Sequence, residues 1–195
     1  AFDFSGYRVV VAGGSRGIGR SIALGFAEAG AAVSICARGA AALEETRQAL
    51  AAHGVPAHAQ SCDLADADAI ATWVADAAAA LGGIDVLVNN ASGYGFDERD
   101  ESWLAGFNVD LMAAVRASRA ALPHLASSPH GCILHTSSIA AFRPRSGGAA
   151  YAAVKAALSQ YTTSQALALA PQRIRVNAIA PGSIAFADGL WDRRR

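Results

Sequence analysis

Short apolar runs alternate with longer segments of helical periodicity along the 195 residues of the chain. The apolar runs predict strands at residues 7–12, 32–37, 55–61, 84–88, 131–136 and 173–179. The segments between them predict helices at residues 18–29, 40–53, 66–81, 102–127 and 149–170. Most strand positions are apolar, which is typical of a parallel sheet covered by helices on both faces. The pattern predicts one domain over residues 1–195, a doubly wound, mostly parallel α/β fold with its ligand at the carboxyl ends of the strands.

Three residues mark where these elements should begin or bend. Pro56 interrupts the start of the third strand, and Asp66 is placed to cap the third helix. Pro123 is expected to kink or end the long fourth helix.

A glycine-rich turn joins the first predicted strand to the first helix. Its sequence is Gly13-Gly14-Ser15-Arg16-Gly17-Ile18-Gly19, a GxxxGxG spacing with one extra glycine. Glycines let backbone amides approach a pyrophosphate, and the N-terminus of the following helix favours negative charge. A plain strand-to-helix turn is the alternative, but the position after the first strand favours a dinucleotide site. The cofactor-binding candidates here are Gly13, Ser15, Arg16, Gly17, Ile18 and Gly19.

The end of the second predicted strand indicates which dinucleotide binds. Folds that bind NAD place an acidic residue there for the ribose 2′-hydroxyl, whereas a 2′-phosphate needs an arginine nearby. Here the strand ends in Cys36-Ala37-Arg38 without an acid, and Arg16 lies in the glycine turn. Two guanidinium groups can bind a phosphate through charge-assisted hydrogen bonds, so NADP(H) is preferred over NAD(H). The alternative is that Arg38 only begins a solvated helix.

Tyr151 and Lys155 lie one helical turn apart in the segment 149–170, so their side chains share a face. Lys155 is the single lysine among the 16 basic residues of the chain. A free tyrosine titrates near about 10, and a neighbouring ammonium group can lower that pKa by about one to three units. We therefore expect Lys155 to lower the pKa of Tyr151 and make it a general acid or base. Ser138, at the end of the fifth predicted strand, can hold a substrate oxygen beside the phenol.

Together these motifs resemble the short-chain dehydrogenase/reductase family, which has a Rossmann-type fold. The resemblance rests on Gly13-x-x-x-Gly17-x-Gly19, Asp63-Leu64, Asn89-Asn90-Ala91, Ser138, Tyr151-x-x-x-Lys155 and Pro181-Gly182. It implies hydride transfer between NADP(H) and a small-molecule ketone or secondary alcohol. Tyr151 would be the general acid or base, Ser138 would steady the carbonyl oxygen, and Lys155 would also hold the nicotinamide ribose. Further cofactor contacts are implied for Asp63, Leu64, Asn90, Ala91, Pro181, Gly182 and Ile184.

The sequence departs from the family pattern at several places. Ala12 stands where threonine is usual, and the threonine expected after Pro181-Gly182 is replaced in the run from Ser183 to Phe186. Asp110 takes the place of an asparagine whose backbone carbonyl positions a water in the family's proton relay. Asp110 could act through its carbonyl in the same way, but as a buried carboxylate it could also disturb the tyrosine. We keep Asp110 as a catalytic candidate and expect Asn108 to face elsewhere.

The resemblance also leaves a second hypothesis open. Family members continue beyond position 195 with a seventh strand, so the sheet is expected to lack its C-terminal strand and to be incomplete. Together with Asp110, this is compatible with a non-catalytic dinucleotide-binding protein of the same fold that serves sensing or assembly. The intact set of Ser138, Tyr151 and Lys155 favours the enzyme instead.

Composition narrows the remaining classes. The 16 basic and 16 acidic residues cancel, which gives no charge pattern for nucleic acid or an anionic membrane surface. No apolar run is long enough to span a bilayer, and we expect no signal leader from the first residues, which show no charged and then apolar pattern. Cys36, Cys62 and Cys132 are too few for a disulfide framework or a zinc site, and the five histidines form no metal-ligand pattern. A cytoplasmic protein without metal is expected, and the resemblance adds a homo-oligomer, dimer or tetramer.

Loops beyond the strand ends supply candidates for the substrate pocket. The aromatic residues of these loops are Tyr94, Phe96, Phe142, Phe186 and Trp191. Arg143 and Arg145 could meet an acidic substrate, although solvated loop arginines are the commoner case. His135 lies inside the fifth predicted strand, where a structural role is expected.

Overall fold

The computed structural model describes residues 2–143, 147–186 and 192. Within them, six strands form one parallel sheet in the order β3-β2-β1-β4-β5-β6. The strands are β1 (Arg8–Ala12), β2 (Ala32–Ala37), β3 (Ala57–Ser61), β4 (Val86–Asn89), β5 (Cys132–Thr136) and β6 (Arg175–Ile179). The helices are α1 (Gly17–Glu28), α2 (Ala40–Ala51), α3 (Ala67–Leu81), α4 (Asp100–Gly106), α5 (Ala113–Ala126) and α6 (Ala149–Leu169). The predicted α/β fold is confirmed.

The sheet is apolar because helices cover both of its faces. Successive residues of a strand point to opposite faces, and β1 contributes Val10 to one core and Val9 and Val11 to the other. Trp73 of α3 packs in the first core, and Leu50 of α2 packs in the second. This two-sided burial explains why the strands appear as continuous apolar runs in the sequence.

The strand order reverses at β1, and this reversal positions the ligand site. Val9 of β1 pairs with Val33 of β2 on one side and with Val86 of β4 on the other. The chain therefore leaves the carboxyl ends of β1 and β4 in opposite directions, towards helices on opposite faces. Such a switch point opens a crevice at the sheet edge where ligands bind in open α/β sheets.

The ends of α3 follow the sequence prediction. The Asp66 carboxylate accepts hydrogen bonds from the backbone amides of Asp68 at 2.8 Å and Ala69 at 3.3 Å. Gly82 ends the helix in the left-handed conformation, with φ of 79°. The Asp66 cap therefore provides partners for backbone amides that the N-terminus of a helix otherwise leaves without them.

The predicted helix at residues 102–127 differs in two ways. It begins at Asp100 and contains a π-helical turn, Phe107–Met112, between α4 and α5. Pro123 does not end it, because the helix continues to Ala126. Pro123 removes one backbone hydrogen-bond donor from the helix without ending it. Of the helices within the described residues, none is both long and apolar enough to cross a membrane.

Candidate functional site

A cavity of about 830 Å³ opens at the carboxyl ends of the strands, where the switch point lies. Its volume lies in the range of small-molecule and cofactor sites. Sixteen of the predicted site residues line it: Gly13, Ser15, Arg16, Gly17, Ile18, Arg38, Asp63, Leu64, Asn90, Ala91, Ser138, Tyr151, Lys155, Pro181, Gly182 and Ile184. Gly19 and Asp110 do not belong to its wall.

The glycine turn is shaped by conformations that only glycine adopts easily. Gly13 and Gly17 have φ of 76° and 55°, in the left-handed region. A Cβ on Gly13 would lie 2.9 Å from the Cα of Ala91, in the loop after β4. Gly19 supports the turn from below, because a Cβ there would collide with the carbonyl oxygen of Gly13. Gly19 therefore has a packing role in the turn, and its contact with the cofactor stays a prediction.

The N-terminus of α1 is open towards the cavity. Arg16 occupies the N-cap position without a side-chain hydrogen bond to the helix, and the first turn contains no acidic residue. Gly17 and Ile18 of that turn line the cavity. The unpaired amides and the helix dipole together favour an anion, so this end of the cavity fits the phosphates of a dinucleotide.

Two arginines lie at the same end. Arg16 and Arg38 both line the cavity, and within the described residues neither forms an ion pair. Asp63 also lines it, but its carboxylate accepts a hydrogen bond from the backbone amide of Ala65 at 3.0 Å. The surroundings of the β2 end are therefore suited to a phosphate group.

Helix α6 carries Tyr151 and Lys155 to the centre of the cavity. Lys155 is 2% exposed, and its ammonium group donates a hydrogen bond to the Thr136 carbonyl oxygen at 2.8 Å. The same Nζ atom lies 2.9 Å from Oδ1 of Asp110 and 5.7 Å from the centre of the Tyr151 ring. Ser138 follows β5, accepts a hydrogen bond from the Ala140 amide at 3.2 Å and is hydrogen-bonded to the Tyr151 phenol. The predicted catalytic side chains are thus neighbours.

The pKa of Tyr151 is raised above its ordinary value, contrary to the sequence prediction. Burial is the main cause, the hydrogen bond with Ser138 acts in the opposite direction, and the charge of Asp110 raises the pKa further. The ammonium group of Lys155 forms an ion pair with Asp110, so much of its effect on the phenol is compensated. The expectation of a lysine-acidified tyrosine was wrong for the unliganded chain.

Asn108 faces the cavity, contrary to the sequence prediction, whereas Asp110 is the buried carboxylate beside the tyrosine that the sequence analysis considered. Asp110 is 2% exposed, lies beneath the cavity and accepts a hydrogen bond from the backbone amide of Gly93 at 2.7 Å. Asn108 lines the cavity instead of facing elsewhere. Both residues belong to the π-helical turn, which rotates side chains relative to a regular helix and was not visible in the sequence.

Aromatic side chains form part of the cavity wall. Tyr94, Phe96 and Phe186 line it, and the Phe96 ring lies 4.8 Å from that of Tyr151. Phe142 is 67% exposed and does not line the cavity, so its prediction was wrong. Arg143, one of the two arginines that could meet an acidic substrate, lines the cavity and is exposed. Trp191 and Arg145 lie outside the described residues.

Several groups at the site escaped the sequence analysis because they belong to the backbone. The Thr136 carbonyl and the Gly93 amide bind Lys155 and Asp110, and backbone groups carry no signal in the residue type. His135 has the structural role predicted, since its ring is buried and hydrogen-bonded to Asn89 and Gln165. Among the residues that the structure describes, no three His, Cys, Asp or Glu side chains are arranged to hold a metal ion.

Comparisons with known proteins agree with this geometry. Residues 7–194 match the family described as short chain dehydrogenase. The isoepoxydon dehydrogenase of Penicillium expansum is 36% identical over 191 residues, covering 96% of this chain and 74% of the relative. The chain belongs to the short-chain dehydrogenase/reductase family of oxidoreductases.

Two solved structures share the fold of this chain and contain nicotinamide dinucleotides. A short chain dehydrogenase from Burkholderia cenocepacia in complex with NADP has a TM-score of 0.88 and 37% identity, covering 97% of this chain and 81% of its own. An NAD+-bound xylitol dehydrogenase has a TM-score of 0.92 and 29% identity, covering 98% and 75%. Nicotinamide dinucleotides of both kinds therefore occur among similar proteins.

Proposed function

We propose that the chain is an oxidoreductase that transfers a hydride between NADP(H) and a small ketone or secondary alcohol. The observation that carries the proposal is that Ser138, Tyr151 and Lys155 line the same cavity as the glycine turn. A protein that only bound a dinucleotide would not need a phenol, an ammonium group and a hydroxyl beside one another at this point.

The chain's own residues account for the proton side of the reaction. The nicotinamide supplies or accepts the hydride when the dinucleotide is bound. Tyr151 donates its phenolic proton to the substrate carbonyl oxygen, and the Ser138 hydroxyl holds that oxygen. Lys155 would hold the ribose hydroxyls. General acid catalysis of this kind contributes about 10²–10⁴ to the rate, and positioning supplies much of the remainder.

A preference for NADP(H) is supported by the arginines at the end of β2. Arg16 and Arg38 line the cavity, and the β2 end contains no acid that would bind a ribose 2′-hydroxyl. A 2′-phosphate between two guanidinium groups gains charge-assisted hydrogen bonds that a hydroxyl does not. The NADP complex of the Burkholderia enzyme is compatible with this preference.

Replacing the proposed general acid tests the reaction. With a panel of ketones, Tyr151→Phe should lower kcat for NADPH oxidation by about 10²–10⁴, because the substrate oxygen loses its proton donor. Tyr161→Phe is the matched control. Tyr161 lies on the same helix and accepts a hydrogen bond from Gln165 at 2.9 Å, and it does not line the cavity. Equal turnover by wild type and Tyr151→Phe would overturn the role of Tyr151 as the general acid.

Reversing one charge tests the cofactor preference. Arg38→Asp should reduce the ratio of NADPH to NADH affinity by about tenfold to a hundredfold, because a charge-assisted hydrogen bond of about 1.5–3 kcal/mol is lost. Isothermal titration with each dinucleotide measures this ratio. Arg47→Asp, on the exposed side of α2 and outside the cavity wall, should leave it unchanged. An unaltered ratio in Arg38→Asp would refute the 2′-phosphate role.

A further inference from the structure

Asp110 connects two parts of the site that are separate in sequence. One carboxylate oxygen lies 2.9 Å from Nζ of Lys155, and the other accepts the Gly93 amide at 2.7 Å. The Asp110 and Lys155 side chains are 1% and 2% exposed. A buried ion pair is costly to desolvate unless its geometry is good and its remaining groups are hydrogen-bonded. Here the Gly93 amide binds one carboxylate oxygen and the Thr136 carbonyl accepts a hydrogen bond from the ammonium group, so Oδ1 of Asp110 has the ion pair with Lys155 as its contact within the described residues.

We propose that Asp110 is a positioning residue that fixes the loop over the cavity and, by compensating the charge of Lys155, keeps the Tyr151 phenol protonated. The inference rests on the proposed function, in which Tyr151 is the proton donor. In this inference the side chain of Asp110 acts through its charge and its hydrogen bond to the loop. The family resemblance implies a different role, in which the backbone carbonyl at this position holds a water.

The anchored loop carries the aromatic wall of the cavity. Tyr94 follows the anchored Gly93 with φ of 52°, and its backbone amide donates a hydrogen bond to the Ser92 hydroxyl at 3.1 Å. Phe96, two residues further, packs its ring 4.8 Å from that of Tyr151. A non-glycine residue in the left-handed region is strained and persists only where its surroundings hold it. The Asp110 bond to Gly93 supplies one such restraint.

The charges around Tyr151 determine its protonation. Lys155 alone would favour the phenolate, but Asp110 lies closer to the ammonium group than the phenol ring does, at 2.9 Å against 5.7 Å. With the pair nearly neutral, burial has the larger effect and favours the uncharged phenol. The raised pKa of Tyr151, with burial first among its causes and Asp110 adding to it, agrees with this arrangement.

Other titratable or charged side chains lie around Tyr151 and Lys155. Those within reach of the cavity or of Lys155 are Arg16 on the glycine turn, Arg38 after β2, Cys62 and Asp63 after β3, Tyr94 on the loop, His135 on β5 and Arg143 after β5. Burial lowers the pKa of His135, so its ring is neutral around Lys155. Asp110 is the carboxylate whose charge acts on Tyr151.

The substitution Asp110→Asn tests the negative charge of Asp110 separately from its hydrogen bond to the Gly93 amide. The amide oxygen of Asp110→Asn can still accept the Gly93 hydrogen bond, but the negative charge is lost. The alkaline limb of the pH profile for ketone reduction should then move about one unit lower, with KM within about twofold of wild type. Asp110→Ala loses both contacts and should raise KM as well.

Near-ultraviolet titration of Asp110→Asn against Asp110→Asn/Tyr151→Phe should show one tyrosine ionising at lower pH than in wild type.

Asp85→Asn is the matched control. Asp85 is equally buried and forms an ion pair with Arg8 at 2.7 Å, but it lies at the amino end of β4, away from the cavity. It should lose stability and keep the wild-type pH profile. Should Asp110→Asn fold poorly, the titration of wild type against Tyr151→Phe still decides, because a phenolate at neutral pH overturns the inference.

The outcomes distinguish this inference from the proposed function. If Tyr151→Phe abolishes turnover while Asp110→Asn keeps the wild-type alkaline limb and tyrosine titration, the role of Asp110 is refuted and the enzyme assignment stands. If Tyr151→Phe retains turnover, the proposed function itself fails. A lowered limb that also appears in Asp85→Asn would show a general effect of destabilisation and would overturn the inference.

Discussion

At the scale of single residues, Gly17 illustrates how tightly the cofactor end of the cavity is built. Its φ of 55° lies in the left-handed region, and a Cβ there would lie 2.6 Å from the Phe186 ring. Phe186 belongs to the run after Pro181-Gly182 that departs from the family pattern. The glycine turn is therefore enclosed by an aromatic ring from the other end of the chain.

A methyl group at this position should impair binding. Gly17→Ala should weaken NADPH binding by at least about tenfold, because the backbone conformation becomes strained by about 1–3 kcal/mol and the new Cβ meets the Phe186 ring. Fluorescence titration with NADPH measures the loss. Gly17→Ala/Phe186→Ala removes the ring contact and should recover part of the affinity, leaving the backbone strain.

Gly25 on the same helix provides the comparison. A Cβ on Gly25 meets nothing within 4 Å, and the residue lies in the interior of α1. Gly25→Ala should bind NADPH like wild type and gain about 0.5–1 kcal/mol of stability through helix propensity. If Gly17→Ala and Gly25→Ala bound equally well, the special role of Gly17 would be disproved.

The residue types of the sequence predicted which side chains line the cavity more successfully than they predicted the ion pairs and pKa values of those side chains. Ser138, Tyr151 and Lys155 meet because parallel strands end at one edge and a helical turn places two side chains on one face. The raised pKa of Tyr151 depends instead on burial and on an ion pair between Lys155 and Asp110. Those contacts join residues that are far apart in sequence, so periodicity gave no sign of them.

At the scale of elements, the predictable features were those set by local pattern. Apolar runs and glycine ends placed the strands and most helices within a few residues, and Asp66 capped α3 as expected. The π-helical turn Phe107–Met112 was missed, because a π-turn differs from an α-helical turn in its backbone hydrogen bonds and not in residue type. That single turn decides that Asn108 lines the cavity and Asp110 lies beneath it.

The sheet order shows a second limit of local pattern. Alternating strands and helices predicted a doubly wound parallel sheet, and the order with β1 at the reversal confirms it. The sequence shows which side chain follows each strand. It does not show how far each loop bends over the edge of the sheet. Phe142 is exposed for this reason, whereas Phe96, in the loop after β4, reaches Tyr151.

At the scale of the whole molecule, buried ion pairs lie at both ends of the sheet. Lys155 and Asp110 occupy the carboxyl end, and Arg8 and Asp85 join β1 to β4 at the amino end. Asp85 also accepts a hydrogen bond from Ser128 after α5. The Lys155–Asp110 pair therefore belongs to the candidate active site. The Arg8–Asp85 pair lies away from it and connects β1, β4 and the end of α5.

This second pair makes the fold sensitive to acid. Burial raises the pKa of Asp85, but hydrogen bonds from Arg8 and Ser128 outweigh it, so the net pKa lies below the ordinary value. A carboxyl group with a lowered pKa in the folded state adds stability above its unfolded pKa of about 3.9. That stability is lost as the pH falls through the folded-state pKa, so the free energy of unfolding should decrease below about pH 4.

Urea unfolding of wild type and Asp85→Asn at neutral and acidic pH tests this. At neutral pH, Asp85→Asn should be less stable by about 2–3 kcal/mol, near the lower end for a broken buried pair because Arg8 is partly exposed. Below about pH 4 the difference should shrink, since protonation removes the same charge from wild type. Glu44→Gln, which breaks the exposed pair with Arg47 on α2, should follow wild type throughout. A stability difference between wild type and Asp85→Asn that did not change with pH would mean that Asp85 acts through packing and not through its charge.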